Sequence, residues 1–357
     1  MKKGITLQEL AIELARQKNA MADYVVTTSH LFMDTEETEP RLRVLDDQKN
    51  DLIEPLHIGI NAHRQIGSHL SIPRAYYDKM REENPELLAI NVNDWLGRSD
   101  DRRLLRTLDG KARAFLSDRY KRIDHYDIAQ AVLPIVTQIP DVQFVSCNIT
   151  EDRMYIKAVN PRLTQDVVPG DTVQAGIIIS NSEVGLGAVS IQPLIYRLVC
   201  SNGMVVNDAA TRKNHLGPSI SDEDDFRLYS KETLEADDRA FILKIQDTVR
   251  AAVDEAKFKT VVDRMRQAAS IPLDTSNLPD FVRLASRDFG VTENEGKGIL
   301  QHLIEGKDYT LYGLSNAVTR YSQDVESYDR ATELEGVGYK VLTMPSVQWK
   351  KINTLAA

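Results

Sequence analysis

Three short turn signals punctuate the middle of this chain, and each lies between stretches that read as strands. Leu104 to Leu108 and Ala112 to Leu116 alternate around Asp109-Gly110, a dipeptide suited to a tight hairpin. Val142 to Ile149 and Arg153 to Val159 flank Thr150-Glu151-Asp152. Asp171 to Ser180 and Ala188 to Val199 are rich in β-branched residues and flank a glycine-containing turn, Glu183 to Gly187. Neighbouring hairpins of this kind predict an antiparallel sheet.

On either side the hydrophobic period becomes helical. Thr6-Leu7-Gln8-Glu9 is a capping box, and Leu7, Leu10, Ala11 and Leu14 follow at helical spacing. A first helix is therefore expected to about Lys18. Val25-Val26 and Leu31 to Met33 read as short extended pieces, and residues 34–54 as a loop or peripheral hairpin. Helices are expected over residues 57–70, after Pro73, from Pro85 to Leu96, and from Ile123 to a break near Pro134. From Glu235 onward, Ile242, Ile245, Val249, Val253 and Ala256 keep one face. Phe258, Val261, Val262 and Met265 continue it with a shift, which predicts a kink. Shorter helices are expected over 278–288, 292–305 and 310–323. The expected fold class is α+β: a central antiparallel β-rich region of hairpins flanked by N-terminal helices and a C-terminal helical region. The expected divisions are 1–97 (N-terminal helical region), 98–234 (central β-rich domain with a basic hairpin) and 235–357 (C-terminal helical region).

Composition excludes several classes. No run of eighteen apolar residues exists, so no membrane span is expected. Glu9 and Glu13 interrupt the start, which argues against a secretory signal. Cys147 and Cys200 form no CxxC pair, which fits a reducing cytoplasm and no structural zinc. A P-loop, a completed GxGxxG, a GxSxG elbow and an HExxH motif are all missing. No cofactor is indicated, and a binding role is favoured over an enzyme.

The remaining chemistry is local. His57, His63 and His69 stand six apart, a spacing that does not put them on one helical face, so they read as ordinary helix histidines. Asp222-Glu223-Asp224-Asp225 could hold Mg²⁺ in a nuclease-like site, although contiguous acids usually form a solvated loop. Ser182 and Glu183 could line a polar site, but a turn needs such residues anyway. Cys200, after Arg197, reads as a buried thiol. The net charge of −9 argues against coating duplex DNA by bulk charge. That charge is uneven. From Arg98 to His125 nine cations face five aspartates, whereas from Asp222 to Asp238 eight acids face two bases.

The basic hairpin segment carries the site expectation. Arg102, Arg103, Arg106, Lys111, Arg113, Arg119, Lys121 and Arg122 interleave with Phe115 and Tyr120. Cations grip phosphates and rings stack on bases, which is how sequence-tolerant single-strand binding is built. The bland alternative is a charged sheet edge.

Four blocks carry a family resemblance. They are Leu70-Ser71-Ile72-Pro73 with Tyr76-Tyr77, the stretch from Arg106 ending Leu116-Ser117-Asp118-Arg119-Tyr120, Arg197-Leu198-Val199-Cys200-Ser201-Asn202-Gly203, and Tyr309 to Thr319. Together they resemble the prokaryotic domain-of-unknown-function family 932. That resemblance implies a phage, prophage or plasmid setting and transfers no catalytic residue. In such a setting the expected function is single-stranded DNA binding by a homo-oligomer, of the strand-annealing kind used in recombination or replication. The alternatives are an interaction protein that blocks a host defence or replication factor, and a Mg²⁺-dependent nuclease built on Asp222, Asp224 or Asp225.

Overall fold

A computed structural model describes residues 1–35, 39–187, 189–206, 212–213, 231–252, 254–273, 278–345 and 347–349. The fold is α+β, with two antiparallel-rich sheets and helices at both ends of the chain.

The first sheet contains β1 (Met21–Thr27), β2 (Leu31–Asp34), β3 (Arg41–Val44), β4 (Leu56–Ile58), β5 (Arg102–Leu108) and β6 (Lys111–Ser117), in the order β1-β5-β6-β4-β3-β2. Among the described residues of this sheet, only β4 and β6 pair in parallel. Asp109 and Gly110 both adopt positive φ, 51° and 73°, the backbone that a two-residue hairpin turn demands. The hairpin is not at a sheet edge, the bland alternative for its charges, and it pairs with strands from the N-terminal stretch. It lies in the middle of the N-terminal sheet, flanked by β1 and β4. The stretch expected to be largely helical, 1–97, therefore contributes four strands. Three of them fall where short extended pieces or a peripheral hairpin are expected, around Val25-Val26, Leu31 to Met33 and within 34–54; β4, three residues long, is too short for its period to stand out.

One face of this sheet is covered by α2 (Ile60–His69), α3 (Arg74–Glu83) and α4 (Pro85–Leu96). Ile66, Tyr77, Met80, Leu88 and Val92 pack there onto Met33, Leu42, Leu105 and Phe115. Tyr77 reaches inward over Gly67, where a Cβ would lie 2.9 Å from its ring.

The second sheet runs β11-β10-β9-β8-β7, all antiparallel: β7 (Gln143–Ile149), β8 (Met154–Val168), β9 (Asp171–Asn181), β10 (Val189–Arg197) and β11 (Asn202–Val205). A short β12 (Arg212–Lys213) also pairs with β10. Helices cover both faces, which is why Ile177, Ile178 and Ile179 are all buried in succession. On one face α1 (Leu7–Ala20), α5 (His125–Val136) and α6 (Lys231–Ala252) meet Ile156, Ile177 and Ile179. Farther along that face Val173 and Ala175 meet Phe258 and Val262 of α7 (Glu255–Ala269). On the other face Tyr155, Ile178 and Leu194 meet Tyr328 of α11 (Tyr328–Leu342). A fully buried Lys157–Glu335 pair at 2.7 Å joins β8 to α11 there.

Between them lie α8 (Leu278–Asp288), α9 (Glu293–Gly306) and α10 (Leu311–Tyr321). The expected capping boxes form at Thr6/Glu9 and Thr292/Glu295. The shift between α6 and α7 is a break, with Asp254 capping α7 through the Lys257 amide. Helix α11 was not legible in advance because Gly336 and Gly338 weaken its helical signal. Gly338 is where α10 approaches: a Cβ would meet Thr319 Cγ2 at 2.3 Å.

Candidate functional site

The residues of the basic hairpin divide by strand geometry. Successive side chains on a strand point to opposite faces, and here both faces are covered: Leu105 and Phe115 lie under α2 to α4, and Arg106 and Ala114 are buried on the other side. Arg106 is 2% exposed and donates to Asp23 at 3.0 Å, to Asp124 at 2.5 Å and to the Glu183 carbonyl at 3.2 Å. Burial alone would lift the Asp124 carboxyl, but Arg106 and Lys18 hold it below its usual range. Arg113 pairs with the buried Glu183 at 3.0 Å, and the other oxygen of Glu183 accepts the His125 amide at 2.6 Å. Asn181 completes the cluster by donating to His125 Nδ1 and to the Ile123 carbonyl, each at 3.0 Å. This polar hub joins the first sheet to the turn that leaves β9. Buried charges persist only when paired in this way.

The expected strand-binding face is therefore corrected at its centre. Arg106, Arg113 and Phe115 face the interior and cannot touch a nucleic acid: Phe115 is 3% exposed. Tyr120 donates to the Ser182 carbonyl, and burial pushes its phenol up to about 12. Lys111 pairs with Glu151, Arg122 with Asp23 at 3.7 Å, and Lys121 lies over the Phe241 ring at 5.2 Å. Arg103 meets His69 and lies over Phe115. Arg102, Arg119 and Arg122 are exposed. The reason is topological: the hairpin is a central pair of strands buried on both faces, so Arg106 and Arg113 face counter-charges rather than solvent.

Exposed rings next to a cation occur instead between α3 and α4. A groove of about 580 Å³ is lined by His69, Leu70, Ser71, Ile72, Pro73, Tyr76, Asn91, Trp95, Arg98, Ser99 and Asp101. Tyr76 and Trp95 are 47% and 45% exposed. Arg98 lies 4.6 Å from the Trp95 ring centroid and is held there by Asp94 at 2.7 Å. Helical geometry separates the two tyrosines: neighbours on a helix face about 100° apart, so Tyr77 enters the core while Tyr76 faces the groove. Ser71 takes a positive φ of 56° where α2 ends, turning the chain so that Pro73 can start α3. Arg103 reaches the groove from β5 through His69. Sequence reasoning had noticed Leu70 to Tyr77 only as a family block and gave Trp95 no role. The missed signal was a tryptophan in the last turn of α4 followed three residues later by an arginine just past the helix end.

The other candidates resolve simply. His57, His63 and His69 share no site; His63 is buried against the Tyr77 hydroxyl at 2.9 Å. Asp222, Asp224 and Asp225 lie outside the described residues. Among the described residues no group of three His, Cys, Asp or Glu is placed to hold a metal ion. Cys147 is buried, its thiol pushed up to about 11 by that burial, and Cys200 is half-buried beside Arg197 at 3.4 Å. No described helix is long and apolar enough to cross a membrane.

No curated protein and no solved structure matches the chain. A family model described as "Domain of unknown function (DUF932)" matches residues 114–337, more than half of the sequence. The match runs from β6 through the second sheet into α11, and the α3–α4 groove lies N-terminal to it. The chain belongs to the DUF932 family.

Proposed function

We propose that this chain binds single-stranded DNA without base specificity, with bases stacking in the α3–α4 groove, and that it serves strand annealing in recombination or replication. The observation that carries the proposal is the exposed Trp95–Arg98 stack facing Tyr76 across an open groove. Aromatic platforms next to guanidinium groups are the recurrent way to hold unpaired bases, each stacked base contributing about 1–3 kcal/mol. Arg102 follows directly after Asp101 of the groove wall and is exposed to meet phosphates. With a net charge of −9, the chain relies on such local cations rather than on bulk attraction.

Fluorescence anisotropy of labelled oligothymidylate tests the proposal. Binding is expected at low salt, weaker at high salt, and weaker again in Trp95→Ala. Equal affinity for duplex and single strands would count against it.

A second reading, docking of a protein partner, is favoured by Leu87 and Ile90. They stand 39% and 68% exposed on the same helix as Trp95. Ile90→Asp distinguishes the two readings: it abolishes a protein contact and spares oligothymidylate binding.

A further inference from the structure

The edges of the two sheets are treated differently. An edge strand presents a row of unpaired N–H and C=O groups, which folds usually cover or blunt. In the second sheet β7 is an edge, and Ile5 closes it by exchanging two backbone bonds with Cys147, at 2.7 and 3.1 Å. In the first sheet β1 is the longer edge, seven residues against four in β2. It pairs with β5 on one side, and among the described residues no strand pairs with its outer side.

The register says which groups point outward. Residues of an antiparallel ladder alternate between those that exchange backbone bonds with the facing residue and those that do not. The Thr28 amide donates to the Asp101 carbonyl at 3.0 Å, in register with Thr27 opposite Arg102. Val26, Tyr24 and Ala22 therefore bond to β5, and the N–H and C=O groups of Val25 and Asp23 point away from it. The Met21 amide is taken by the Gln17 carbonyl where α1 ends. The open groups are thus arranged symmetrically about Tyr24.

Composition and charge fit this edge to a copy of itself. Met21 to Thr27 contains no proline and no lysine, the usual means of blocking an edge. Its one charged residue, Asp23, is held inward by Arg106 at 3.0 Å and faces Arg122 at 3.7 Å, so two such strands approach without repulsion. With two copies antiparallel about Tyr24, Asp23 of each stands opposite Val25 of the other, and the open N–H and C=O groups of both residues are satisfied. Tyr24 then meets its own copy in a pair without backbone bonds, where Cα atoms lie about 4.5 Å apart and side chains pack closest.

We infer that β1 is a self-association edge: two copies of this chain pair antiparallel through β1 into one continuous sheet, with a two-fold axis at Tyr24. An axis of that kind is perpendicular to the sheet, so helices α2 to α4 of both copies stand on the same side. Thr28 bonds to Ser99 and Asp101 of the α3–α4 groove and lies about 27 Å from its counterpart, eight strand residues away. The pairing itself is independent of strand binding, and it sets two grooves on one face, within reach of a single strand.

Size-exclusion chromatography with light scattering on the full chain, over a dilution series, tests the inference. The wild type is expected at twice the chain mass when concentrated, falling toward the single-chain mass on dilution. Val25→Asp sets a carboxylate directly opposite Asp23 of the second copy, and Val25→Pro removes an outward N–H while sparing the β1–β5 ladder. Both variants are expected to be monomeric with unchanged circular dichroism. Val25 is 40% exposed, so Val25→Asp keeps a folded chain in the test should Val25→Pro unfold. Under mild oxidation Tyr24→Cys is expected to give a reducible covalent dimer, and Phe32→Cys, on the opposite edge of the same sheet, is not. The inference is overturned if the wild type is monomeric at every concentration, if the folded Val25 variants stay dimeric, or if Phe32→Cys cross-links as readily as Tyr24→Cys.

Discussion

Arg113 on β6 donates to Glu183 at 3.0 Å, and with both side chains at most 10% exposed the pair ties the centre of one sheet to the turn leaving β9 of the other. Removing one member leaves a buried charge unpaired, which costs about 3–5 kcal/mol. Glu183→Ala is expected to lower the unfolding free energy by about that amount. The double replacement Arg113→Met with Glu183→Ala is expected to cost less than the two single replacements summed. Urea denaturation of the single and double variants measures the difference, and strict additivity would contradict the coupling.

His63 governs part of the acid response. It is buried against Tyr77, and desolvation lowers its pKa to about 4 from an ordinary 6.5. The unfolded chain takes up this proton below about pH 6.5 and the folded chain only near 4. Stability is therefore full above 6.5 and falls as the pH drops through that window, by about 3 kcal/mol. His63→Gln is expected to flatten the slope of unfolding free energy between pH 6.5 and 4. An unchanged slope in the variant would show that other groups carry it. Glu295, which Arg330 holds down at about 2, responds below this window.

The capping box at Thr292 is expected to contribute about 1 kcal/mol. Thr292 accepts the Glu295 amide at 3.3 Å, while Glu295 accepts the Thr292 amide at 2.8 Å and a bond from Arg330 at 2.7 Å. Thr292→Ala is expected to lower the thermal midpoint by a few degrees. Thr292→Ser keeps the hydroxyl and is expected to retain most of the stability. Differential scanning calorimetry compares them.

The groove makes a prediction that the hairpin does not. Charge reversal at exposed Arg119 is expected to change oligonucleotide affinity less than Tyr76→Ala, because stacking rather than the hairpin cations holds the strand. Competition titrations of both variants against the wild type rank them.

How far the sequence could be read depended on length of signal. Long β-branched runs such as Asp171 to Asn181 and capped helices such as the one after Thr6 are visible because many residues agree on one period. The strand Leu56–Ile58 is visible only in pairing, since three residues cannot display a period, and its end falls where a helix from residue 57 is expected. The hairpin around Asp109-Gly110 was recognised as a hairpin, but not as the centre of the first sheet. Its partner strands lie more than forty residues earlier, and nothing local encodes that register. This is also why the cations misled: Arg106 and Arg113 look alike in sequence to exposed Arg102 and Arg119, and only the fold brings Asp23, Asp124 and Glu183 to them. The Trp95–Arg98 stack was within reach, being a local contact at the end of α4, but one ring and one cation are too common to single out without knowing that this end is exposed.

The chain has two tryptophans: Trp95 in the groove at 45% exposure and Trp349 at 6%. Titrating intrinsic fluorescence with oligothymidylate therefore reports on the groove itself. The account predicts saturable quenching that weakens with added salt and disappears in Trp95→Phe. Unquenched emission while the oligonucleotide binds elsewhere, or no binding at all, would contradict it.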